Sequence, residues 1–323
     1  MQLKLHCKPF SFRLSQTLKT SQGALKEKKG WLLRLEDKTG KCGWGEVSPI
    51  DQSDLATCER FLNLLNGKIT RQALEAGISI WPGALAFGIG AALAEIDDLI
   101  GTKEKGGWMK APQSAILLPR NQSLKKELST LLIKQRQSSQ FPMTLKLKIG
   151  IEPQQLEEDL VCNILKNLPE DTRLRLDANT GLNRSEANNW ASCFQQEPRL
   201  EWLEQPLATD DVIGLIELAR RIPVALDESL LEKPSLRKSW SSWQIRRPSL
   251  EGDPRLLLKE LQQGVSYRML STSFETGIGL RWVHHLAALQ NAGPTPTAPG
   301  LAPGWCPKTP LFSCDPRLVW EAA

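Results

Sequence analysis

At 323 residues, with 41% apolar and 24% charged residues, the chain is long enough for one large domain or two, each with a full hydrophobic core. The 41 basic and 36 acidic residues leave a net charge of +5 without a basic run, which argues against a nucleic-acid arm. The long uncharged stretch between Ala76 and Glu95 contains Pro82 and four glycines, a poor membrane span, and the N-terminus lacks the apolar core of a secretory leader. Seven cysteines without CxxC or CxxH spacing read as free thiols of a cytoplasmic protein and argue against zinc. Nothing in the sequence accounts for eleven tryptophans against one tyrosine.

Residues 3–14 and 31–36 read as strands, with turn chemistry from Gly40 to Gly45 and a polar stretch, 15–30, that is a hairpin end or a loop able to cover a site. Helical spacing follows at Asp51–Leu65 and at Leu85–Ile100, whose small face (Ala86, Gly90, Ala94) predicts close packing. Residues 1–107 therefore form an α+β unit of their own. From Gln113 short apolar strands alternate with amphipathic helices: 115–118, 144–149, 174–177, 200–204, 224–227, 243–247 and 267–271 against 154–167, 185–196, 210–221, 254–263 and 279–290. Such alternation predicts parallel strands with helical crossovers, closing into a (β/α) barrel over residues 108–307. An open doubly wound sheet is the other reading, but no phosphate-binding glycine fingerprint follows a strand. Residues 308–323 have no barrel pattern and are expected to return to the first domain.

The chemistry sits at strand ends. Strict alternation through Thr144–Ile149 puts Lys146 and Lys148 on the face opposite Leu145, Leu147 and Ile149. Successive strands then close with Asp177, Glu204, Asp227, Arg247 and Ser271, spaced by 29, 27, 23, 20 and 24 residues, each about one β/α unit. In barrels of this class reacting groups lie at the carboxyl ends of the strands. Three carboxylates at one rim need a compensating cation, and an all-oxygen set selects a hard one, Mg²⁺, with Mn²⁺ able to take the same ligands. Asn179 and Glu228 are placed to orient the ligands or the basic groups. A general base needs a pKa near neutrality, and a lysine such as Lys148 approaches it only beside other positive charge: Lys146, Arg247 and the metal. The combination predicts proton abstraction α to the carboxylate of a small-molecule substrate. His284 and His285 are adjacent on one predicted helix and read as packing or surface residues, and Gly277–Gly279 as a turn and helix start able to meet a carboxylate.

Together the KxK of Lys146–Lys148, Leu174–Asn179, Glu201–Leu207, Ala225–Ser229, Ser271–Gly279 and Thr295–Leu301 resemble the enolase superfamily, muconate-lactonising subgroup. The resemblance spans nearly the whole chain and implies a (β/α)₇β TIM-like barrel with an N-terminal α+β capping domain. It implies Lys148 as acid/base and Asp177, Glu204 and Asp227 as Mg²⁺ ligands. It also places Arg175, Ser271, Ser273 and Gly300 near the substrate, with Lys146 steadying its carboxylate end. The subgroup carries a lysine where this chain has Arg247, just before Pro248. Arginine stays protonated, so the second base that a racemase needs is missing, whereas a one-base syn-dehydration needs only a cation there. The implied reaction is loss of water from a succinyl-bearing hydroxycyclohexadiene carboxylate, giving an aromatic product on a quinone-forming route. N-acylamino acid racemase, muconate-type cycloisomerase and a barrel kept only for binding are the alternatives. Residues 300–303 carry no acidic pair to grip a substrate ammonium, against a dipeptide epimerase.

Overall fold

The computed structural model describes residues 2–20, 23–65, 67–138 and 143–323. These fall into two compact units: residues 1–112, 247–266 and 270–323 in the first, and residues 113–246 and 267–269 in the second.

The first unit is built on a four-stranded antiparallel sheet of order β3-β2-β1-β4, with β1 Gln2–Thr20, β2 Gly23–Glu36, β3 Cys42–Val47 and β4 Gly67–Thr70. Alternation buries both faces of this sheet. Leu3, Leu5, Leu33 and Leu35 pack with Leu85, Ile89 and Leu93 of the helix Gly83–Ile96. Phe10, Phe12, Leu14, Leu32 and Trp44 point the other way and pack with Leu311 and Val319 from the C-terminal segment. That segment forms a short 3₁₀ turn, Pro310–Phe312, and the helix Pro316–Ala322. Lys8 Nζ donates to the Trp320 carbonyl at 2.8 Å, and the Trp44 and Trp320 rings meet edge-on at 5.7 Å. Helices Pro254–Gln262 and Gly277–Asn291 join the helix Gly83–Ile96 through Phe87, Ala91, Leu257 and Trp282.

The second unit carries the parallel sheet: β5 Ile116–Leu117, β6 Thr144–Lys148, β7 Arg173–Asp177, β8 Leu200–Glu204, β9 Val224–Leu226, β10 Trp243–Arg246 and β11 Arg268–Leu270, adjacent in chain order. An isolated parallel bridge, Ser271 to Gly300 in the first unit, supplies an eighth strand position. The architecture is the (β/α)₇β TIM-like barrel with an α+β capping domain. One row of strand side chains (Leu145, Leu147, Leu174, Leu176, Leu203, Val224, Leu226) packs with Val161, Ile164, Trp190, Leu215 and Leu218 of the crossover helices. The other row runs through Trp202, Ala225, Ile245 and Met269. Here the tryptophan excess finds part of its use. The Arg175 guanidinium lies 4.1 Å over Trp202, Trp202 is 4.8 Å from Trp243, and Trp243 meets Tyr267 edge-on at 5.4 Å. Large flat side chains fill this interior with few rotatable bonds.

Several boundaries differ from expectation. The polar stretch 15–30 makes the two arms of the β1–β2 hairpin, because Phe10 and Phe12 pair with Gly30 and Lys28 across it. Ser15 anchors it, donating from N to the Trp305 carbonyl at 2.9 Å and from Oγ to the Gly304 carbonyl at 2.7 Å. Ser21 and Gln22 of that stretch lie outside the described residues. The turn between β2 and β3 needs only residues 37–41, where Asp37 Oδ1 accepts from the Thr39 and Lys41 amides. Gly43 and Gly45 are strand residues that admit the helix: a Cβ on either would stand 1.9 Å from a carbonyl oxygen, of Ala92 and Gly88 respectively. Helix Arg71–Ile78 is only eight residues long and Leu124–Ser138 carries weak apolar periodicity, and neither is read from the sequence.

Candidate active site

Parallel register lines up the predicted groups. Lys148 pairs with Asp177, Asp177 with Glu204, and Glu204 with Ala225, two residues before Asp227. Side chains two apart on a strand share a face, so Lys146, Lys148, Asp177, Glu204 and Asp227 all project on the side of Trp202 and Ala225. A register shift beside Glu201 between β7 and β8 keeps Trp202 and Glu204 in that row. It also lets Glu201 Oε2 accept from Arg175 Nε at 2.7 Å.

Within the second unit the core of the site is a buried charge cluster. Lys146 Nζ stands 2.8 Å from Asp177 Oδ2 and 2.7 Å from Glu204 Oε1. Glu204 is fully buried and also accepts from Trp202 Nε1 at 3.2 Å. Burial pushes the Glu204 carboxyl above its ordinary value; Lys146 opposes this, while Asp177 and Asp227 add to it. For Lys146 burial works downward, but Asp177 and Glu204 outweigh it and hold the ammonium above its usual range. Three carboxylates share one field here, and a single ammonium sits among them.

Lys148 stands beside this cluster. Its Nζ donates to Asn179 Oδ1 at 2.6 Å, and Asn179 Nδ2 donates to Glu228 Oε1 at 3.1 Å. Asn179 sits in the left-handed region at φ 43°, which asparagine tolerates, and this carries its amide back toward the strand end. The loop after Lys148 is held by Glu157, buried on the next helix. Its carboxylate accepts from the amides of Gly150, Ile151 and Glu152 at 2.6, 3.2 and 3.2 Å and from Arg120 Nη2 at 2.8 Å. Nothing in the local spacing marked Glu157, since three backbone donors converge on it only after the turn forms. Arg175, expected near the substrate, is fully buried one residue pair beneath Asp177, against Trp202 and Glu201.

The other predicted residues belong to the first unit and form a group of their own. Arg247 Nη1 donates to the Thr272 carbonyl at 2.9 Å, and its amide donates to Glu251 Oε1 at 2.6 Å. Ser271 Oγ donates to the Gly300 carbonyl at 3.3 Å. Buried Glu275 holds this loop: its carboxylate accepts from Thr272 Oγ1, the Ser273 amide and Ser249 Oγ. Lys28 is buried nearby in sequence-remote company, donating to the Ser48 and Pro49 carbonyls at 2.5 and 3.2 Å. Burial pulls it down to about 8, against the raising influence of Glu275 and Glu46. The Gly277–Gly279 helix start does meet a carboxylate, and it is the chain's own Glu46, which accepts from the Thr276 and Gly279 amides at 2.9 and 3.0 Å. His285 packs against Trp108 and accepts from the Met109 amide at 3.2 Å.

Residues 132–240 match the family model described as enolase C-terminal domain-like. Over 290 residues the chain is 28% identical to the o-succinylbenzoate synthase of Thermosynechococcus vestitus, covering 84% of this chain and 85% of that one. The o-succinylbenzoate synthase of Edwardsiella ictaluri is 26% identical, with 86% and 83% covered. Among solved structures, the o-succinylbenzoate synthase of Thermosynechococcus elongatus, complexed with Mg in its active site, superposes with a TM-score of 0.79 at 25% identity over 99% of this chain and all of that one. The chain is thus similar in sequence and fold to enzymes of the enolase superfamily. The L-Ala-D/L-Glu epimerase of Bacillus subtilis, at TM-score 0.69 and 19% identity over 95% of this chain and 91% of that one, shares the fold. The Mg-bound o-succinylbenzoate synthase neighbour implies a divalent metal, and the enzyme relatives imply a small-molecule substrate. The donor chemistry fits the metal: Asp177, Glu204 and Asp227 offer only hard oxygen atoms in a buried setting, with more negative charge than Lys146 neutralises. As they stand, Asp177 and Glu204 are drawn onto Lys146, and no three acidic, imidazole or thiol groups converge in ligand geometry among the described residues. No helix among the described residues is long and apolar enough to cross a membrane.

Proposed function

We propose that this chain is an o-succinylbenzoate synthase of the enolase superfamily: it removes water by syn elimination from a succinyl-bearing hydroxycyclohexadiene carboxylate, giving o-succinylbenzoate for menaquinone or phylloquinone formation. The observation that carries the reading is the register Lys148–Asp177–Glu204, with Asp227 in the same field, in a chain whose o-succinylbenzoate synthase relatives cover more than four fifths of it.

Asp177, Glu204 and Asp227 would hold Mg²⁺, or Mn²⁺ in its place. The bound ion supplies fixed positive charge that offsets the carboxylates and the negative charge developing on the substrate. Lys148 takes the proton α to the substrate carboxylate, then returns a proton to the departing hydroxide on the same face. Asn179 aims the Lys148 amine, and Glu228 aims Asn179. Lys146 neutralises the carboxylate cluster from within. Arg247 serves as a permanent cation, and Ser271, Ser273 and Gly300 form a substrate-side loop that Glu275 stiffens. Arg175 supports the site from below through Trp202. Aromatisation of the product supplies much of the driving force, so one acid/base suffices.

Residues 1–107 serve as the capping domain, 108–307 as the barrel and 308–323 as a segment returning to the cap; the contacts of Trp320 with Lys8 and Trp44 support that return. A cytoplasmic location and a carboxylate substrate, with no nucleic acid or membrane as partner, complete the reading. The test is turnover of the dehydration substrate by purified protein, abolished by EDTA and restored by Mg²⁺. Turnover of N-acyl amino acids with exchange of the α proton in D₂O, without dehydration, would replace this reading with racemisation.

A further inference from the structure

Gln205 follows Glu204 directly and is completely buried, with its backbone in the left-handed region at φ 35°. Its side chain crosses from the end of β8 to the end of β9. Oε1 accepts from the Asp227 amide at 3.1 Å and from the Ser229 amide at 3.1 Å. Nε2 donates to the Leu207 carbonyl at 3.1 Å and to Ser229 Oγ at 2.7 Å. Two backbone N–H groups on one side demand an acceptor, and a carbonyl on the other demands a donor, so only an amide satisfies both. The Asp227 backbone it grips has φ −122° and ψ −81°, away from the ordinary helix and strand regions.

We infer that Gln205 is a positioning residue for the metal site: by clamping residues 227–229 to the end of β8 it sets where the Asp227 carboxylate stands relative to Glu204. The inference rests on the reading of Asp177, Glu204 and Asp227 as ligands. It separates geometry from charge. Gln205→Glu keeps length and shape, loses the donor toward the Leu207 carbonyl, and adds a negative charge beside a cation site. If charge alone mattered, this variant would bind the cation more tightly.

The experiment titrates Mn²⁺ into the full-length protein at pH 8, following free Mn²⁺ by electron paramagnetic resonance, with thermal melts recorded alongside. Gln205→Glu and Gln205→Leu are expected to weaken Mn²⁺ binding by about 10–100-fold, the range for groups that orient metal ligands. Binding by Gln205→Glu as tight as wild type or tighter overturns the inference. Asp227→Asn is the control for the underlying reading: unchanged binding there defeats the ligand assignment, and the positioning role with it. Should neither Gln205 variant fold, Ser229→Ala carries the test, because it deletes one partner of the clamp. A loss of about fivefold, one net hydrogen bond, is expected, and unchanged affinity overturns the inference.

Discussion

Replacing Lys146 with methionine tests how the carboxylate cluster is held together. The ammonium lies 2.8 Å from Asp177 and 2.7 Å from Glu204, and these two residues are 2% and 0% exposed. At an effective dielectric of about 20, each contact is worth about 6 kcal/mol of Coulomb energy, most of it offset by the cost of taking the charges out of water. What a Lys146→Met change exposes is the uncompensated remainder, about 3–5 kcal/mol when one partner of a buried pair is removed. Metal-free protein carrying Lys146→Met should therefore unfold at lower urea, with ΔG of unfolding reduced by that amount. Divalent metal should narrow the gap. Wild type gains about 2.7 kcal/mol at a hundred times its Kd, whereas the variant presents a more negative site and gains more. The assay is urea unfolding at pH 8 in EDTA and in saturating Mg²⁺. A gap below 1 kcal/mol, or one equal with and without metal, would refute the idea that ammonium and metal compensate the same carboxylates.

Three further outcomes are expected. Lys148→Ala should lower kcat for dehydration by about 10²–10⁴-fold while leaving Mn²⁺ affinity within a few-fold; activity within tenfold of wild type removes Lys148 from the acid/base role. Trp202→Ala should cost about 3–5 kcal/mol, since the indole is fully buried between Arg175 and Trp243; chemical denaturation measures it. The buried Lys28 makes stability depend on pH in the alkaline range. Its folded pKa of about 8 lies below the ordinary 10.5, so the unfolded chain binds the extra proton and the burial penalty is relieved as pH rises from about 8 toward 10.5. Wild type should gain up to about 3 kcal/mol over that window relative to Lys28→Met, and parallel pH profiles for the two would contradict it.

Most of the barrel was legible because its signals are local. Alternation in Thr144–Lys148, the helical spacing of Gln154–Asn167 and the recurrence of charged strand ends at intervals of one unit each follow from neighbours in sequence. The capping sheet was less so. β4 and the helix Arg71–Ile78 are short, and Gly43 and Gly45 look like turn residues until the helix that needs them lies against β3. Charge balance within the site was also hidden. Lys146 was expected to face a substrate carboxylate, yet it pairs with the chain's own Asp177 and Glu204.

The sequence by itself determined the strand–helix alternation, the row of acids, lysines and arginine at strand ends, and so the kind of chemistry the chain can perform. Those properties depend on side-chain period and residue type, which a linear chain displays. Tertiary structure alone decided which hydrogen-bonding partners set those groups in place: Gln205 on the Asp227 turn, Glu157 on the loop after Lys148, Glu275 on the loop from Ser271. Each is a buried polar side chain that meets backbone groups from another turn of chain, and such partners exist only once the strands have been brought into register.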